Sequence, residues 1–206
     1  MCELTGRTKK DFSSVPELDI SKVCLGHIAY DSKWVELIHK NGWRPLFIYR
    51  DPRDQTVSKA HWIRKAERRF YPKAIIECSL EKTIEYLIRN DLGVLTTQGF
   101  YEKYMGWKDC PAVYTTTFEK LIGSKGGGSD EVQMQEIYNI IEHVGLSCSP
   151  ERVKTVIENA FGGTFTFRKG MVGAWKTELT ADHKRLFKQV SGQLLIDLGY
   201  EDDLDW

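Results

Sequence analysis

Two groups of residues in this chain have the types and spacing to hold a phosphate. The first lies in PLFIYRDPRDQTVSKAHW, residues 45–62, where Arg50 is followed eight positions later by Ser58. Arginine offers a planar fork of donors and serine a hydroxyl, a pair suited to the oxygens of a phosphate monoester. The second is Arg168-Lys169-Gly170, within TFTFRKGMVGAWKTELT, residues 164–180. It sets two cations beside a residue that lets backbone approach a ligand closely, and Phe165, Phe167 and Trp175 add flat surfaces for a base or ring. Each group also has an ordinary explanation when taken alone: an exposed arginine on a strand–loop–helix connection, and a common surface tripeptide. Gly126-Gly127-Gly128-Ser129 is a weaker candidate. No apolar strand precedes it and no GK[ST] follows, so it reads as a plain linker.

The elements that must position these residues follow from the apolar pattern. Leu46, Phe47, Ile48 and Tyr49 form a short run that reads as a buried strand. Asp51-Pro52 breaks it, and a helix follows from Arg53 to about Ala66. That order places Arg50 at the carboxyl end of a strand and Ser58 on the next helix, near the crevice where α/β proteins bind ligands. Residues 1–20 are polar and read as loop or disorder, with one domain over 21–206. Val23 to Ile28 reads as a short strand with His27 at its end, and Ser32 to Lys40 as a helix.

Farther along, Glu67 to Pro72 reads as a surface connection and Leu80 to Leu92 as a helix, with a looser helix over Leu95 to Tyr104. Ala112 to Thr117 is strand-like in its β-branched content, and Phe118-Glu119 begins a helical turn. Glu131 to Val144 is an amphipathic helix. Ser149-Pro150 opens another, with Val153, Val156, Ile157 and Ala160 on its buried face, and Thr180 caps the last. Residues 164–180 are too irregular for a regular element, which inside a domain points to a functional lid or a mobile linker. Strands separated by helices imply an α/β fold with a mainly parallel sheet flanked by helices.

Composition bounds the function. The 206 residues hold 29 lysines and arginines against 29 aspartates and glutamates, so the whole molecule has no electrostatic bias toward nucleic acid or an anionic membrane. An anion site must therefore be local. No apolar run approaches a bilayer span, and MCELTGRTKKDF has no apolar leader core. The five cysteines are scattered without a CxxC pair, as expected for reduced thiols in a cytoplasmic protein. No histidine sits at ligand spacing from another, so no metal site is expected.

Together the two phosphate groups resemble the motifs of the sulfotransferases that use 3′-phosphoadenosine 5′-phosphosulfate (PAPS). IYRDPRDQTVS is similar to that family's 3′-phosphate motif, and FRKGMVGAWKTELT to its RKGxxGDWKxxFT motif near the C-terminus. The intervening TFEKLIG fits as well. GSKGGGSDE, FGGTFTFRKG and HKRLFKQVSGQLLIDLGYEDD are closest to the bacterial branch. The resemblance covers about Lys22 to Asp203 and implies a P-loop-NTPase-like sulfotransferase fold, incomplete at its N-terminus. It implies that Arg50 and Ser58 bind the nucleotide's 3′-phosphate with Arg168, Lys169 and the Gly170 amide. Phe118, Phe161 and Trp175 are implied near the adenine and lid. Phe118 stands for a tyrosine, Ala174 for the aspartate of GDWK, and Asn159-Ala160-Phe161 matches Thr-Ser-Phe only at Phe161. His27 falls in the place of a histidine in a Thr-His-Leu-Pro-like segment, which implies a general base for the acceptor's hydroxyl proton.

The family's PKSGTTW-like loop, which holds the 5′-phosphosulfate, has no counterpart by this reading. Leu4-Thr5-Gly6-Arg7-Thr8-Lys9 echoes it faintly, but with no leading strand and too close to His27. Three functions follow. The first is sulfuryl transfer from PAPS, leaving adenosine 3′,5′-bisphosphate (PAP), to a small-molecule or glycan acceptor with a hydroxyl or amine. The second is a non-catalytic module that keeps the 3′-phosphate half-site and associates through an exposed sheet edge. A more distant third is a P-loop nucleotide kinase relative, opposed by the absence of GxxxxGK[ST].

Overall fold

A computed structural model describes residues 2–4, 23–65, 71–89, 96–162 and 168–206. The chain divides into two compact units, residues 1–47 with 102–115, and residues 48–101 with 116–206.

The first unit carries strands β1 (Cys2–Leu4) and β2 (Cys24–Gly26), paired in parallel with Cys2 opposite Cys24 and Leu4 opposite Gly26. The N-terminal residues, read as loop throughout, thus begin with a strand. The feature whose absence argued against Leu4 to Lys9 is present; residues 5–22 lie outside the described residues. Helix α1 (Ser32–Asn41) starts where the Asp31 side chain accepts the Lys33 amide at 2.9 Å, filling a donor the helix leaves unsatisfied. It ends at Gly42 in the left-handed region, φ 63°. Ile38 on its inner face packs with Trp107 and Cys110, and Trp34, Trp43 and Phe47 surround them. The Trp107 indole donates to the Ile28 carbonyl at 2.8 Å, tying the chain just after His27 to this small core.

Strands β3 (Leu46–Tyr49) and β4 (Tyr114–Thr117) pair in a second sheet, and the division between the units passes along both. The expected burial of β3 holds on one side only. Leu46 is 39% exposed and Ile48 52%, because successive side chains of a strand point to opposite faces.

The second unit is helical. Helix α2 (Pro52–Lys65) begins on the proline, whose missing N–H costs nothing in a first turn. Helices α3 (Lys73–Glu77), α4 (Leu80–Arg89) and α5 (Thr97–Tyr104) follow, α5 crossing the division. After β4 come α6 (Phe118–Leu121), α7 (Asp130–His143), α8 (Pro150–Asn159), α9 (Trp175–Glu178) and α10 (Ala181–Asp197). Val57, Ala60 and Ile63 recur at helical spacing on α2 and meet Ile84, Leu87 and Ile88 of α4 and Leu186, Phe187 and Leu195 of α10. This apolar core fixes α2 and so the position of what precedes it. Thr180 caps α10 as expected, in a reciprocal capping box with His183. On α8 the expected buried face is narrower: Val153 is buried, but Val156 is 54% exposed and Ala160 is exposed.

Candidate functional site

Arg50 stands between the end of β3 and the first turn of α2. Its Nη2 donates to the Met171 carbonyl at 2.6 Å and lies 3.4 Å from Asp54 Oδ2, and its guanidinium sits 4.2 Å from the centre of the Phe118 ring. Nε is buried with no acceptor among the described residues. The Arg50 carbonyl accepts from the buried Tyr101 hydroxyl, which holds the backbone here. Ser58 is half-buried on α2.

Asp54, one turn along α2, joins the two candidate stretches, residues 45–62 and 164–180. Its side chain is fully buried and accepts the amides of Gly173 at 2.8 Å and Trp175 at 2.9 Å. Burial pushes its carboxyl up, against the opposing pull of these amides and of Arg50. The expected lid is thus bound to α2 at three places, Met171, Gly173 and Trp175. Neighbouring Arg53 has a separate task. It grips Asp51 through Nε at 3.0 Å and Nη2 at 2.8 Å, bonds Glu201, and lies 3.8 Å from the Trp175 ring centre and 4.5 Å from that of Trp206. Trp175, read from the sequence as a surface for a base, is 8% exposed and belongs to the apolar core beneath Arg53.

Arg168 and Lys169 converge on one carboxylate. Arg168 Nη1 donates to Glu178 Oε1 at 3.0 Å and Lys169 Nζ to the same oxygen at 2.8 Å, while His61 Nε2 lies 2.7 Å from Oε2. Burial alone would raise the Glu178 carboxyl, but the bonds from Lys169, His61 and Arg168 override it and bring it down to about 2. Arg168 Nε, like that of Arg50, is buried without an acceptor among the described residues.

The glycine loop is not a plain linker. The Gly126 carbonyl accepts the Val172 amide at 2.8 Å, and a Cβ at Gly126 would fall 2.3 Å from Ile122 Cγ1 and 2.6 Å from the Gly170 carbonyl. Its small residues let the chain pack directly beneath the cationic segment, and Gly170 adopts φ 62°. The sequence reading missed this support, and it missed Asp54, Glu178 and His61. Only Asp54 had a legible signal, the (i, i+4) pairing with Arg50.

Phe161 is half-buried beyond the end of α8. Phe165 and Phe167 lie outside the described residues. His27 belongs to the first unit, exposed directly after β2. Among the described residues no cluster of three histidine, cysteine or acidic side chains could hold a metal, and no helix is long and apolar enough to cross a membrane.

This architecture, a strand ending in an arginine, a helix with its serine, and a cationic loop bound back to that helix, is a sulfotransferase fold. Mouse sulfotransferase SULT7A1 complexed with PAP matches it with a TM-score of 0.65 over 86% of this chain and 68% of that one, at 14% identity. No protein-family model matches the chain. In sequence it is similar to cytosolic sulfotransferase 17 of Arabidopsis thaliana, 26% identical over 200 residues, which cover 84% of this chain. The match spans 56% of that relative's length. In fold and in sequence the chain is similar to sulfotransferases.

Proposed function

We propose that this chain binds PAPS through its 3′-phosphate and takes part in sulfuryl transfer to a hydroxyl or amine acceptor. The observation that carries the reading is the binding of Met171, Gly173 and Trp175, which follow Arg168-Lys169-Gly170 directly, to Arg50 and Asp54, with a buried guanidinium nitrogen in each arginine that has no acceptor among the described residues. A buried donor without an acceptor is costly, and phosphate oxygens would supply acceptors. Arg50, Ser58, Arg168, Lys169 and the Gly170 amide hold the 3′-phosphate in this reading, and Phe118 and Phe161 border the base.

PAPS supplies the sulfuryl group. Transfer of this kind depends on positioning and on stabilising charge, as phosphoryl transfer does. His27 is the group assigned to take the acceptor's proton as its oxygen or nitrogen attacks sulfur. The SULT7A1 structure is named as a PAP complex, and the curated relative is named cytosolic; both accord with a PAP-leaving reaction in the cytoplasm.

Calorimetric titration of the full chain with PAP and with 5′-AMP tests the nucleotide reading. Wild type should prefer PAP by about tenfold or more, and Arg50→Ala should remove most of that preference, since charge-assisted bonds contribute roughly 1.5–3 kcal/mol each. Equal affinity for the two nucleotides in wild type would overturn it. His27→Ala should abolish sulfate transfer and leave PAP affinity unchanged; full turnover in that variant would remove His27 from the mechanism. PAP binding with no transfer by wild type would identify a binding module instead.

A further inference from the structure

The Glu178 carboxylate sits where an anionic ligand of Arg168 and Lys169 would be expected. Oε1 accepts both cations, at 3.0 and 2.8 Å, and Oε2 faces His61 at 2.7 Å with a longer contact from Arg168 at 3.4 Å. The Glu178 side chain is only 14% exposed and that of Arg168 26%, so their contact is partly shielded from water, while Lys169 at 54% reaches it from the solvent side. Nothing in the RKG segment requires this partner for its path, because Met171, Val172, Gly173 and Trp175 are already held by Arg50, Gly126 and Asp54. The two oxygens also divide the work. If an incoming anion takes the cations from Oε1, Oε2 keeps its bond to His61 on α2, and the carboxylate need not be left buried and unpaired.

We propose that Glu178 is an internal competitor for the phosphate: it occupies Arg168 and Lys169 in the free protein and gives them up when the ligand binds, lowering affinity for every anion at this position. The inference rests on the nucleotide reading for the identity of the ligand, but the competition itself does not. Arg168, Lys169 and Glu178 together carry a single net positive charge, and removing the carboxylate's charge leaves two.

The test measures binding of PAP, 5′-AMP and inorganic pyrophosphate to the wild-type chain and to Glu178→Gln by calorimetry, with circular dichroism melts to confirm folding. The amide should tighten PAP and pyrophosphate by about tenfold or more, the scale of one charge-assisted bond no longer broken on binding. Glu178→Asp, which retracts the carboxylate by one methylene and keeps its charge, should give a smaller gain and serves if the amide does not fold. Tighter pyrophosphate binding in the variants, together with equal PAP and AMP affinity in wild type, would uphold the competitor and overturn the nucleotide reading. Unchanged or weaker binding of both phosphates in a folded variant would overturn the competitor, whatever the wild-type preference between nucleotides.

Discussion

The carboxylate of Asp54 accepts the backbone amide of Trp175 at 2.9 Å, a bond between residues 121 positions apart. With the Gly173 amide on its other oxygen, at 2.8 Å, it pins the cationic segment to the helix that follows Arg50.

Replacing Asp54 by asparagine keeps the volume but sets an amide N–H against a backbone N–H and removes the counter-charge of Arg50. We expect Asp54→Asn to cost about 1–3 kcal/mol through the unsatisfied buried donor, read as a lowered urea midpoint. PAP affinity should fall with it, because the loop is no longer registered against Arg50.

Arg53→Met separates stability from binding. Removing the guanidinium leaves Asp51 buried and uncompensated and strips the cation from between Trp175 and Trp206. Breaking a buried pair costs about 3–5 kcal/mol, so the melting temperature should drop sharply. Any folded protein at low temperature should keep its preference for PAP over 5′-AMP.

The pH dependence of stability has two opposed contributions. Glu178 is held below its ordinary 4.5, at about 2, so the stability it contributes is complete above pH 4.5 and is lost as pH falls toward 2. Asp54 is raised above 3.8, so its contribution is complete below that value and is lost as pH rises through its higher folded value. Urea melts at about pH 5 and about pH 3 should show wild type losing more stability on acidification than Glu178→Gln, since the variant has already lost the Glu178 contribution. Parallel losses in the two proteins would remove Glu178 as a source.

Gly126→Ala places a methyl against Ile122 and the Gly170 carbonyl. Ile122 can adjust, but the backbone carbonyl moves only with the RKG segment. Overpacking of this kind costs about 1–3 kcal/mol, and PAP affinity should fall by about tenfold or more. Gly42→Ala is the control. Its φ of 63° carries strain, but nothing lies within 4 Å of the added Cβ and it belongs to the first unit, so it should lower stability and spare binding.

Much of this arrangement was legible in local pattern. The run Leu46 to Tyr49, the break at Asp51-Pro52 and the spacing Val57, Ala60, Ile63 dictate a strand, a turn and an amphipathic helix, and so put Arg50 and Ser58 in place. Thr180, Ser149-Pro150 and Gly42 mark helix ends through capping chemistry, which depends on neighbours in sequence. Strand β1 was not legible. Three residues carry no periodicity, and only pairing with Cys24–Gly26 makes them a strand.

The amino-acid sequence by itself determined the local elements and the two phosphate-friendly groups, because turns, caps and helical faces are set by residues a few positions apart. What each charged or aromatic side chain does was decided by tertiary structure. Arg50 and Arg53 look alike in RDPRD, yet one keeps a buried nitrogen without an acceptor among the described residues and the other is consumed by Asp51, Glu201 and two tryptophans. Trp175 went to the core, and Glu178, silent in the sequence, came to hold both cations of the second group. A charge's role depends on which distant partner reaches it and how much water is excluded there, and neither is encoded in spacing along the chain.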